Sequence, residues 1–303
     1  MTTALPMLRP MAKWIGVLSA IFLVAACASS TGVKQQNALI NAAQNMERRA
    51  AQSFAAGDAD SAASTYESAA LVYESLALAE PMARARLSAA RAVAEVGKPE
   101  QAMAIVHAVL SQAQGLSPAT QIVAHGRAAA LYLAQGRDLA QGSVPSAAST
   151  TGAASAPYLA SATTHWQSAS ALCAQTCAEQ ATLGVLRARI DLAQGNASAA
   201  VQSASAALAV AQTQKAANAE QANALRVRAQ AHSVMSQHAQ TVADAAAALA
   251  LDQDAGSAAR VQLDLQLLAK AHAALGNADQ AARYAQLATR AQAASRALQE
   301  GAP

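Results

Sequence analysis

Apolar and small positions recur along this chain in paired blocks: a run of helical period, a short polar break, then a second run. The last pair is the clearest. Leu265 to Arg290 reads LQLLAKAHAALGNADQAARYAQLATR, an alanine-rich run to Gly276, a polar turn, and another alanine-rich run from about Ala281. This pattern predicts two antiparallel helices that reverse at the glycine. No sustained alternation of β-branched residues suggests a sheet. Alanine has the highest helix propensity and loses no rotamer freedom, so an all-α chain is expected.

Taken in order, helical pattern begins near Lys34 and runs to Gly57. A second helix spans about Ala62–Ala79, where Glu80-Pro81 predicts a break. The next pair turns at Gly97, and Pro99 suits the first turn of its second helix. A further first helix runs from about Ala119 to Gln135 and ends at Gly136. Gly142 to Pro157 (GSVPSAASTTGAASAP) has no apolar face and reads as a flexible insertion. Its second helix resumes near Tyr158 and reaches Leu172. Later pairs turn at Gly195-Asn196, at His238 and at Gly276, and residues 293–303 form a tail.

Aligned on the turns Gly57, Gly97, Gly136, Gly195, His238 and Gly276, the pairs share small residues. Seven positions earlier stand Ala50, Ala90, Ala129, Ala188, Ala231 and Ala269. Five positions later stand Ala62, Ala102, Ala200, Ala243 and Ala281, and seven beyond those Ala69, Ala207, Ala250 and Ala288. Only small side chains fit where the two helices of a hairpin cross closely, and glycine supplies the positive φ that reverses the chain. Self-similarity of this kind marks a helical solenoid. It resembles the tetratricopeptide repeat over about residues 34–292, giving an α-solenoid of about six helix-turn-helix units. The departures are intervals longer than the standard 34 residues, alanine at most aromatic positions, and few repeat-ending prolines.

The N-terminus is read as a targeting segment. Arg9 and Lys13 precede the apolar run Trp14 to Ala26, which falls short of the roughly 20 residues that span a bilayer. Val24-Ala25-Ala26-Cys27 resembles the lipobox of bacterial lipoproteins. The resemblance implies a signal peptide over residues 1–26, lipid on the Cys27 thiol and a tether over 27–33. The true start is Met1 or Met11. Several acyl chains on one cysteine anchor stably. Ala28, in place of the aspartate of inner-membrane retention, implies an outer-membrane lipoprotein facing the periplasm. Loss of residues 1–26 removes Arg9 and Lys13 and no acid, which leaves a formal charge of +1. Nucleic acid is therefore not an expected partner.

Cys173 and Cys177 remain. An oxidising compartment permits a disulfide, and the spacing suits a pair straddling a turn better than one inside a straight helix. Two small buried hydrophobes are the other reading. A zinc site lacks a second cysteine pair or paired histidines, and no metal is expected. No GxSxG, HExxH, phosphate loop or paired-carboxylate motif appears, so neither enzymatic activity nor a cofactor is expected.

What remains is a groove. The resemblance places the first helices on the concave face, with one column six residues before each turn: Ala51, Arg91, Ala130, Arg189, His232 and Lys270. Arg228 is expected beside His232. Such a stripe suits carboxylates, from acidic side chains or a chain terminus. Solvated helix positions often carry such residues without a ligand. The function expected is a lipid-anchored periplasmic scaffold that binds a protein or peptide partner in assembly of the cell envelope. Outer-membrane protein, pilus or secretion, and cell-wall machinery are candidates. The alternative is a substrate-binding component of a transport or polymer-export system.

Overall fold

The computed structural model describes the backbone of residues 15–142, 151–173 and 176–299. Side chains of residues 15–34, 139–142, 151–154, 295 and 298–299 lie outside the description. Arg9, Lys13 and the Cys27 side chain thus fall outside it, as does most of the expected insertion. The helices, in order, are α1 (Ile15–Ala55), α2 (Ala59–Ser75), α3 (Ala79–Glu95), α4 (Pro99–Leu110), α5 (Pro118–Gly142), α6 (Thr151–Leu172), α7 (Gln180–Ala193), α8 (Ala197–Thr213), α9 (Asn218–Val234), α10 (His238–Asp254), α11 (Ala258–Ala274) and α12 (Ala278–Gln299). A single 3₁₀ turn, Ala113–Gly115, precedes α5. The described residues contain no strand. None of their helices is long and apolar enough to cross a membrane.

Six helices, α2, α3 and α8 to α11, are each 17 residues long. At eight of the joins between helices the chain reverses in the same way. One residue takes positive φ: Gly57, Ala77, Gly97, Gly195, Lys215, Ser236, Gly256 or Gly276. Its N–H and that of the next residue bond back into the preceding helix. At the first turn these are Gly57 N to Phe54 O and Asp58 N to Ser53 O; at the last they are Gly276 N to Ala273 O and Asn277 N to His272 O. This is the Schellman arrangement, which satisfies carbonyls that a helix end leaves open. The following residue starts the next helix: Asp58 accepts from Ser61 N at 3.0 Å. The period is therefore about 20 residues, helix plus turn, with two per repeat.

The joins α2–α3, α8–α9 and α10–α11 between hairpins use the same turn as the hairpins themselves, at Ala77, Lys215 and Gly256. Pro81 accordingly lies within the first turn of α3 instead of ending α2. Leu78 N bonds to Tyr73 O and Ala77 bears the positive φ of 54°.

Three sequence expectations change. Gly136 does not turn: it lies within α5, which continues to Gly142. A Cβ there would come 3.2 Å from the Cβ of Tyr158, so this glycine marks a close approach of α5 and α6. His238 does not turn either. Ser236 does, with φ of 59°, and His238 opens α10. Realigned by two residues, the fifth repeat's small column reads Ala229, Thr241 and Ala248, all fully buried, while Ala243 and Ala250 are exposed. Finally, the backbone is helical through residues 28–33, where a loose tether was expected, and also from Thr151, within the expected insertion.

Elsewhere the small columns form the core. Ala50, Ala90, Ala129 and Ala188 are fully buried, and so are Ala62, Ala102 and Ala200. A close crossing lies at Gly184, where a Cβ would come 2.8 Å from that of Ala207. In the last hairpin Ala269 and Ala281 are only half-buried. Apolar clusters run from hairpin to hairpin, such as Leu87, Val106, Val109 and Leu131 across α3, α4 and α5. Polar ties join them: Tyr73 Oη donates to Glu47 at 2.8 Å between α2 and α1.

Each helix packs on its neighbour in sequence. The odd-numbered helices also meet one another, α3 with α5, α5 with α7, α7 with α9 and α9 with α11. That places the odd helices on the tighter, inner side of the curve.

Candidate binding groove

Three guanidinium groups occupy the inner side: Arg91 on α3, Arg127 on α5 and Arg189 on α7. Arg91 and Arg189 each directly follow a buried alanine of the small column, which turns them out from the hairpin contact. Arg91 lies over the Phe54 ring, 4.5 Å from its centroid. Arg189 keeps an open surface, yet burial by the surrounding walls lowers its pKa to about 10, with Arg137 and Arg226 adding repulsion. Burial also brings Arg127 down to about 10, helped by Arg91. Arg91 is lowered by burial first and then by Arg260. All three remain charged at neutral pH.

Arg91 on α3 thus feels Arg260 on α11 and Glu220 on α9. Helices from distant repeats face each other across the concavity. Glu220 is raised, first by burial and then by Glu179. Among the described residues no carboxylate stands within ion-pair distance of Arg91, Arg127 or Arg189. The Arg127 Nε is buried with no hydrogen-bond partner among them. Beside it opens a cleft of about 290 Å³ walled by Leu87, Ile122 and Val123, with Arg84, Arg127 and Glu179 at its polar positions. The site can therefore hold anionic groups attached to an apolar chain.

The other expected groove residues divide. Lys270 is exposed on α11 at the position equivalent to Arg91 and Arg189. Arg228 and His232 do sit side by side, but not in the groove. Arg228 makes a two-pronged pair with Asp244 of α10, at 2.8 and 2.6 Å, and reaches Ser205 of α8 at 3.3 Å. The Asp244 bonds raise its pKa. His232 stands 3.7 Å from Asp244 and bonds Gln237 at 2.6 Å. The reason is the two-residue slip at Ser236: two positions rotate a helix face by about 200°, so the groove position on α9 is Gln230. Arg127 went unnoticed in the sequence, although it lies one turn before Ala130 on the same face.

Cys173 and Cys177 are joined by a disulfide, with Cα atoms 5.3 Å apart. It follows the end of α6, and Cys177 borders the cleft beside Arg127.

No family model matches the chain, and no curated protein matches it in sequence. Solved structures do match in shape. BtubC (BKLC) from P. vanneervenii aligns with a TM-score of 0.54 at 16% identity, over 86% of this chain and 92% of that one. TTC0263, a thermophilic TPR protein in Thermus thermophilus, aligns with a TM-score of 0.54 at 19% identity, over 77% of this chain and 98% of that one. At such identities the likeness is one of fold. Together with twelve helices, no strand among the described residues and a turn repeated every 20 or so residues, it makes the chain an all-α, tetratricopeptide-like solenoid.

Proposed function

We propose that this chain is a lipid-anchored adaptor of the bacterial cell envelope, held at the periplasmic face of the outer membrane, whose inner groove receives an extended acidic segment of a partner protein. The observation that carries the binding half is the set of three inward guanidiniums, Arg91, Arg127 and Arg189, with no carboxylate at ion-pair distance among the described residues. Arginine prefers carboxylates in two-pronged geometry, and in a groove partly stripped of water such bonds gain strength. Leu87, Ile122 and Val123 offer an apolar wall beside Arg127 for a neighbouring side chain. The anchoring half rests on Val24-Ala25-Ala26-Cys27.

Two experiments address the halves separately. Arg189→Glu combined with Lys270→Glu should abolish capture of the partner from envelope extracts, and unchanged capture would refute the groove. Cys27→Ser should move the protein out of the membrane fraction. Retention there would refute lipid anchoring while leaving the groove untouched.

A further inference from the structure

Outside the groove, the only histidine-rich cluster among the described residues lies on the α4, α5 and α6 helices. His125 of α5 and His165 of α6 face each other with their Nδ1 atoms 2.9 Å apart. The His107 ring of α4 stands 6.5 Å from that of His165, and Tyr132 stacks on His165 at 5.6 Å. Tyr132 Oη meets His107 Nε2 at 3.3 Å. The two central rings are half-buried, so solvent reaches them. Burial lowers the pKa of both, and His165 is lowered further by His125 and His107. They are therefore neutral at pH 7, with one Nδ1 donating and the other accepting.

We propose that His125 and His165 form a two-imidazole site for a tetragonal divalent ion, copper(II) before nickel(II), that bridges α5 and α6. Metal–imidazole bonds are about 2.0 Å long. Two such bonds to nitrogens 2.9 Å apart subtend roughly 90° at the metal, a cis pair in a square or octahedral set and narrower than tetrahedral zinc prefers. Imidazole nitrogen suits copper and nickel, and copper binds most tightly in the divalent series.

Binding needs both Nδ1 lone pairs. The ring that donates in the free pair moves its proton from Nδ1 to Nε2 through solvent, each ring swings its lone pair toward the ion, and the ion gives up two waters. No net proton is released, since neither ring is charged beforehand. Among the described residues no group of three histidines, cysteines or carboxylates closes on the ion. Its other positions stay with water, which makes the site exchangeable instead of structural.

The test uses the full chain without any affinity tag, titrated with copper(II) sulfate and in parallel with zinc sulfate. Saturable copper binding is expected, with an electron paramagnetic resonance spectrum showing two imidazole nitrogens, tighter than zinc, and with a rise in melting temperature as the helices are bridged. His125→Phe and His165→Phe keep a ring at each position, so that the stacking with Tyr132 and between the two positions is retained. Each should remove one nitrogen from the spectrum and weaken binding at least about tenfold. His272→Ala should leave both unchanged. No saturable copper binding by the wild-type chain would overturn the proposal, as would an unaltered spectrum in both phenylalanine variants. Tighter zinc than copper would overturn the tetragonal assignment.

Discussion

The α3–α4 and α5–α6 hairpins differ in where their first helices end and in the side chains beside their small-residue contact. In α3–α4 the helices end at Gly97, with φ of 80°, and meet through Ala90 and Ala102. In α5–α6 the first helix runs past the corresponding glycine to Gly142. Ala129, Ala162 and Ala169 are still fully buried, but the half-buried rings of Tyr132, Tyr158, His125 and His165 cluster beside them, and Trp166 donates to Leu183 O of the next repeat at 2.9 Å. The regular hairpins use small residues and a tight turn to bring helices close. The third keeps the small residues and adds rings and a longer first helix. Regularity belongs to the scaffold, and the exceptional hairpin holds a histidine and tyrosine cluster found in no other described hairpin.

Substitutions should separate the two designs. The largest effect is expected at Arg226, buried in the regular part. Its Nε donates to Asp264 at 2.6 Å, and its guanidinium also pairs with Asp252. Arg226→Ala leaves buried Asp264 without a cation and Asp252 with only Arg260, at 3.6 Å, and should cost about 3–5 kcal/mol in denaturant unfolding.

The same network gives a pH signature. Burial, with Asp252 sharing the guanidinium, raises the Asp264 pKa from 3.8 to about 6. A raised carboxylate pKa means the folded state holds its proton more tightly. That contribution is complete below the unfolded value and is lost as pH rises through about 6. Compared with Asp264→Asn, the wild-type chain should gain stability on acidification across that window, by up to about 1.4 kcal/mol per pH unit. Equal slopes would remove Asp264 as the cause.

Gly184→Val should cost about 1–3 kcal/mol by overpacking, since even a Cβ would press on Ala207. Gly97→Ala puts a side chain at positive φ, with open space around it, and should cost about 1–2 kcal/mol. Gly136→Ala should cost under about 1 kcal/mol, because its backbone is ordinary helix and only Tyr158 must yield slightly. If Gly136→Ala proves as damaging as Gly97→Ala in thermal melts, the two hairpins do not differ in the way described.

The repeat was legible in the sequence because its packing needs are severe. A side chain larger than alanine's would press on the neighbouring helix at the fully buried Ala90 and Ala188, and so the columns stand out. What misled was reliance on glycine to mark turns. Ala77, Lys215 and Ser236 adopt positive φ without being glycine, and nothing local in their identity announces it. The missing glycine at Ser236 shifted the fifth repeat by two residues and carried Arg228 and His232 to the wrong side. Three-dimensional closure was invisible for a different reason. Arg91 and Arg260 are far apart in sequence, and only the curve of the stack lets them act on each other. The pairing of His125 with His165 likewise comes from how α5 and α6 cross, which the intervening residues do not encode by spacing.

The central claim is that the inward face of the odd-numbered helices captures an acidic partner segment. A photo-crosslinking residue placed at Ala130, in the groove column between Arg91 and Arg189, tests it in intact cells against one placed at the exposed Ala247 of α10. The account predicts one dominant protein adduct from position 130, none of that kind from 247, and its loss when Arg91 and Arg189 are changed to glutamate. Matching adducts from both positions, or an adduct at 130 that survives both charge reversals, would contradict it.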